Sequence, residues 1–134
     1  MTGDQRPRTK DQRPTTKDYK VISHIALMTP RADLSLDERS AFIDAFERAV
    51  RDIPMVKAVR VGRRVTHGAG YEQVAPAATY LAVIDFEDLA DLQAYLRHPA
   101  HEDLGARFGQ SLRSALVYDF EVGGLEELRR WRVP

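Results

Sequence analysis

The chain has 134 residues, enough for one ordinary domain and too few for two. Hydrophobic residues make up 43% and charged residues 30%, and the absence of cysteine excludes disulfides, thiolate catalysis and Cys-ligated metal or iron–sulfur centres. The 20 basic and 20 acidic side chains cancel, yet six of the basic and three of the acidic fall in residues 1–20, so the remainder carries a net −3 and nucleic acid is not expected as a partner.

Residues 4–17 hold a seven-residue repeat, Asp4-Gln5-Arg6-Pro7-Arg8-Thr9-Lys10 followed by Asp11-Gln12-Arg13-Pro14-Thr15-Thr16-Lys17. Without a large apolar side chain it has nothing to bury against its ordering entropy, so residues 1–19 are expected to be a disordered basic tail. Neither a signal-peptide core nor an apolar run of membrane-span length is present, and a cytoplasmic protein without a membrane partner is expected.

Residues 21–28 read as the first strand, with Ile22, His24, Ala26 and Met28 on one face and Val21, Ser23, Ile25 and Leu27 on the other. Ser35-Leu36-Asp37-Glu38 has capping-box form and opens a helix that reaches about Asp52, with Phe42, Ile43, Phe46, Ala49, Val50 and Ile53 at helical spacing. Residues 56–65 give a second strand, residues 66–79 a long loop and residues 79–86 a third strand. Asp88 caps a second helix with the stripe Leu89, Leu92, Tyr95 and Leu96. His98-Pro99-Ala100-His101 breaks it, and a short third helix carries Leu104, Phe108 and Leu112. Residues 115–122 are the last strand. The C-terminal extension, 123–134, has room for one helical turn anchored by Trp131.

The order β-α-β-β-α-(α)-β over residues 20–122 is the ferredoxin-like pattern, an α+β fold whose four-stranded antiparallel sheet has helices on one face. The other face carries Ile25, Leu27, Leu81 and Val83, too apolar for water, and a homodimer closing on it is expected.

Among the groups that carry chemistry, His24 stands in an apolar strand and Asp119 between Val117 and the aromatics Tyr118 and Phe120, each needing a hydrogen-bond partner if buried. Tyr80 and Tyr95 lie on apolar faces. His101 follows the Pro that ends a helix, beside Glu102 and Asp103. His67 sits in a Gly-rich loop and reads as solvated. Pro99 breaks the helical face that His98 and His101 would need as paired ligands, so no metal is expected. Dinucleotide, P-loop and serine-nucleophile motifs are absent.

Several segments together carry a resemblance: Ser23-His24-Ile25-Ala26-Leu27, Val59-Arg60-Val61-Gly62, Phe86-Glu87-Asp88, Ala94-Tyr95-Leu96-Arg97-His98-Pro99-Ala100-His101 and Val117-Tyr118-Asp119-Phe120-Glu121-Val122. Over about residues 20–122 the chain resembles the stress-responsive α/β-barrel (Dabb) domain, which implies a dimeric ferredoxin-like α+β barrel. The branch it is similar to in spacing is that of the plant polyketide cyclases of the olivetolic acid cyclase type, which perform a cofactor-free intramolecular aldol condensation. That likeness places the catalytic His on His101, the helix Tyr on Tyr95, the first-strand His on His24 and the last-strand Asp on Asp119. It also places a third-strand His on Tyr80, where this chain departs, and its loop before the third strand is longer.

The reading that follows is a cofactor-independent cyclase or lyase with a small carbonyl-containing, polyketide-like substrate. His101 takes a proton, Asp119 holds the His101 tautomer, and Tyr95 with His24 or Tyr80 donates to the enolate oxygen. Ala26, Met28, Phe42, Phe46, Val59, Ala82 and Leu104, with Tyr80, are the expected walls. A non-catalytic small-molecule-binding or stress-response dimer, and a haem- or flavin-dependent oxygenase of a related barrel, remain as alternatives.

Overall fold

A computed structural model of the chain describes residues 20–131. The repeat tail expected over residues 1–19 and the last three residues of the C-terminal extension lie outside the described residues. The elements run β1 (Val21–Pro30), α1 (Leu36–Asp52), β2 (Ala58–Arg63), β3 (Tyr80–Phe86), α2 (Leu89–Arg97), α3 (Pro99–Ser111), β4 (Leu112–Val122) and α4 (Glu127–Arg130). The strands form one antiparallel sheet in the order β2-β3-β1-β4, the ferredoxin-like arrangement.

Local chemistry explains where the elements begin. Ser35 Oγ accepts the Glu38 N–H at 3.0 Å while the Glu38 carboxylate accepts the Ser35 N–H at 2.9 Å, so two orphan donors of α1 are satisfied at once. Asp88 Oδ1 accepts the Asp91 N–H at 2.9 Å and starts α2. His98 adopts an extended backbone because the residue before a proline is driven from the α region, and Pro99 then occupies the first turn of α3.

Helices and sheet meet through Ala45 and Ala49 of α1, Ile84 and Phe86 of β3, Leu92 and Tyr95 of α2, and Leu104 of α3. A second, smaller cluster consists of Ala26, Met28 and Ala82. Ala26 and Ala82 are register partners on adjacent strands. Two alanines at the middle of the covered face leave the helices above them without large side chains to meet, and that is where the cavities open.

The opposite sheet face bears Ile25, Leu27, Leu81 and Val83, joined by Leu116, Tyr118, Phe120 and Val122 of β4, which pair with β1 in register. Tyr118 and Phe120 are half exposed.

Four expectations are corrected. The second strand is shorter than 56–65, and the loop after it holds a 3₁₀ turn at Gly70–Gln73. The break at His98 is one residue wide, so His101 lies in the first turn of α3 rather than before it. Leu112 belongs to β4, because Pro30 of β1 pairs with it and draws the chain into the sheet. Trp131 does not anchor the C-terminal turn: it is 43% exposed, whereas Glu127 is buried. Gly123 permits this, since a Cβ there would lie 2.9 Å from Glu127 Cγ.

Candidate functional site

Four aromatic rings converge between sheet and helices. Tyr95, buried on α2, has its ring centroid 4.9 Å from that of Phe86 and 4.8 Å from that of His101. His24 on β1 approaches the same tyrosine at 5.9 Å. The proline-forced turn between α2 and α3 brings the His101 ring against that of Tyr95, six positions earlier in the chain.

His24, Tyr95 and His101 line one cavity of about 210 Å³ whose remaining walls include Ala26, Phe46, Ala82, Ile84, Leu104, Phe108 and Val117. Burial raises the Tyr95 hydroxyl to about 12, so it stays protonated at neutral pH and keeps an O–H to donate. Among the described residues that O–H has no hydrogen-bond partner. Burial lowers the His101 pKa and the nearby His24 lowers it further, against smaller raising effects from the Leu96 carbonyl and Glu102. His101 is therefore neutral at physiological pH, the form of an imidazole that can accept a proton.

The Asp119 carboxylate engages His24, with Oδ1 2.6 Å from Nδ1. This corrects the expectation that Asp119 holds the His101 tautomer. His24 and Asp119 are register partners across β1 and β4, so their side chains leave the sheet side by side. A carboxylate only accepts, so Nδ1 of His24 carries the proton and Nε2 is the atom left for a ligand.

The expected wall residues divide between two cavities. Tyr80, Met28 and Phe42 line a second, larger cavity of about 510 Å³ between α1 and the β2–β3 edge, not the one holding the imidazoles. Phe46 and Ala82 line both. Val59 lines neither and is exposed on edge strand β2. His67 is exposed in the loop, its Nε2 3.2 Å from the Tyr71 hydroxyl, and His98 is spent on capping α3, where Nδ1 accepts the Ala100 N–H at 3.0 Å. Two lining residues of the larger cavity escaped the sequence reading, Arg39 and Arg63. The signal was present: Arg63 continues the face of Val59 and Val61, and Arg39 precedes Phe42 and Ile43 by three and four residues.

A split βαβ sheet with a His/Tyr-lined cavity under its helices defines a class, and the family model of the Stress responsive A/B Barrel Domain, Dabb, matches residues 22–122; the chain belongs to that family. Olivetolic acid cyclase from Cannabis sativa is 23% identical over 99 residues, spanning 74% of this chain and 94% of that relative. Among solved structures, a hydroxynitrile lyase from Passiflora edulis superposes with a TM-score of 0.66 at 17% identity, over 77% of this chain and 94% of its own. A dimeric ferredoxin-like protein of unknown function from Thermobifida fusca gives 0.61 at 23% identity, over 78% and 92%. Among the described residues no helix is long and apolar enough to cross a membrane.

Proposed function

We propose that the protein is a cofactor-independent cyclase or lyase acting on a small, polyketide-like carbonyl compound, with His101 as general base and Tyr95 as donor to the enolate oxygen. The observation that carries this reading is the Tyr95–His101 pair, its rings 4.8 Å apart on the wall of a largely apolar cavity. Neutral His101 takes a proton from the carbon beside a carbonyl. The electron pair moves to the carbonyl oxygen, which Tyr95 O–H stabilises. In a cyclisation the enolate carbon bonds to a second carbonyl of the same molecule, and the resulting alkoxide recovers the proton from imidazolium. The reverse sequence cleaves that bond. His24, its Nδ1–H donated to Asp119, presents Nε2 to the same cavity as an acceptor, and the likeness to olivetolic acid cyclase supports the assignment of the Tyr95–His101 pair.

The test is the cyclisation of a linear poly-β-keto thioester, followed by the absorbance of the ring product. General acid–base catalysis contributes about 10²–10⁴-fold, so His101→Ala is expected to lose at least that with its fold intact. A His101→Ala enzyme that keeps normal turnover sinks the mechanism. A wild type that binds such thioesters and converts none is a binding protein using the same pocket.

We also infer a homodimer closed on the open sheet face. That face presents Leu116, Tyr118, Phe120 and Val122 to water beside Ile25 and Leu27, and the Thermobifida fusca relative is described as dimeric.

A further inference from the structure

We infer that the larger cavity is the binding site for the anionic end of an elongated acyl ligand, its oxyanion held by Arg39 and Arg63 and its chain running toward His101. The reacting end of this assignment rests on the cyclase or lyase reading; the anion site does not.

The floor of this cavity is apolar, made by Met28, Phe42, Phe46, Val61, Ala82 and Leu112. Arg39 and Arg63 line it together with Tyr80, and no acidic residue does. Other arginines nearby are engaged. Arg31 binds Asp33, Glu38 and the Gln110 carbonyl, and Arg64 donates to the carbonyls of Glu72 and Pro76. Among the described residues neither Arg39 nor Arg63 has an ion pair or a side-chain hydrogen bond. Two unpaired guanidinium groups over an apolar floor are matched by an amphiphile with a carboxylate or phosphate head, which arginine's planar fork binds through paired hydrogen bonds.

The register sets the length. His24 pairs with Ile84, Ala26 with Ala82, and Met28 with Tyr80, which in turn pairs with Arg63. Four residues along β1 separate the His24 row from the Arg63 row, about 13 Å at 3.3 Å per residue. Phe46 and Ala82 line both cavities at the middle of that span. A ligand serving both ends is therefore a linear chain with its carbonyl near Tyr95 and His101 and its anion near Arg39 and Arg63. A compact, uncharged carbonyl compound fits the small cavity alone.

The full chain is titrated calorimetrically with dodecanoate, dodecyl phosphate and dodecanol. The expected result is that an anionic probe binds at least about tenfold more tightly than dodecanol, the discrimination of hydrogen bonds to a charged group. The double variant Arg39→Leu, Arg63→Met is expected to lose that discrimination while its affinity for dodecanol and its Tm are unchanged. Tighter dodecanoate identifies a free acid as the head, and tighter dodecyl phosphate a phosphate-bearing carrier. Equal binding of dodecanol and both anions, or discrimination intact in the double variant, overturns the site. Anion discrimination without thioester turnover counts against the cyclase reading alone, and turnover without discrimination counts against the anion site alone.

Discussion

Asp119 Oδ1 and His24 Nδ1 lie 2.6 Å apart across the β1–β4 register, and this contact, not one to His101, sets which nitrogen of His24 carries a proton. Two imidazoles thus line one cavity, and it is His24 that the carboxylate orients.

The first prediction separates them. Asp119→Asn is expected to shift the His24 tautomer equilibrium and to leave that of His101 unchanged, read from long-range imidazole proton–nitrogen correlations. Because the Asp119 side chain is 45% exposed, Asp119→Ala is expected to cost only about 1 kcal/mol of stability, the upper end for a solvent-exposed pair. A changed His101 tautomer in Asp119→Asn would return Asp119 to the role expected from sequence.

The second concerns pH. Burial lowers the His101 pKa below the usual value of about 6.5, so turnover is expected to rise with pH through that lowered value and to be level by about pH 7. His24→Asn removes the second-largest lowering cause and moves the profile to higher pH. The same shift has a stability consequence. The folded pKa lies below the unfolded one, so the contribution is full above about pH 6.5 and is lost as pH falls toward the folded value. Thermal melts across that window, compared with His101→Gln, measure it.

The third divides structure from chemistry at Tyr95. Its hydroxyl has no partner among the described residues, so Tyr95→Phe is expected to leave Tm almost unchanged and to lower turnover by about 10²-fold, the effect of removing one oxyanion donor. Tyr95→Ala empties a buried site against Phe86 and is expected to cost about 3–5 kcal/mol, measured by denaturant titration.

The fourth tests assembly. Wild type is expected to sediment as a dimer at micromolar concentration, and Phe120→Glu, which sets a charge on the open sheet face, as a folded monomer. A wild-type monomer would remove the homodimer.

The fifth tests the C-terminal turn. Gly123→Ala is expected to destabilise by about 1–3 kcal/mol, the usual cost of overpacking, because the added Cβ meets Glu127 Cγ. Glu127 cannot yield freely, as its buried carboxylate lies 3.8 Å from Lys20 Nζ and 3.6 Å from Arg130. Chemical denaturation of the two proteins decides it.

Local signals in the chain were enough for the elements. The capping box at Ser35, the period of Phe42, Phe46 and Ala49, the alternation of β1 and β3, and the proline after His98 each act within a few residues, and together they specify the ferredoxin-like order. That His101 and Tyr95 belong together came from the resemblance carried by Tyr95-x-x-His98-Pro99-x-His101, and the proline-forced turn between α2 and α3 is what brings the two rings to 4.8 Å. What Asp119 binds was decided 95 residues away, by the register in which β4 meets β1. The same holds for the division of the expected walls into two cavities, which needed Ala26 opposite Ala82 with Phe46 above them. It holds as well for Glu127 displacing Trp131 as the buried residue, which follows from Gly123 lacking a Cβ. Periodicity tells which face a side chain leaves by, but which side chains share a space depends on pairings between distant strands, and only the folded chain determines those.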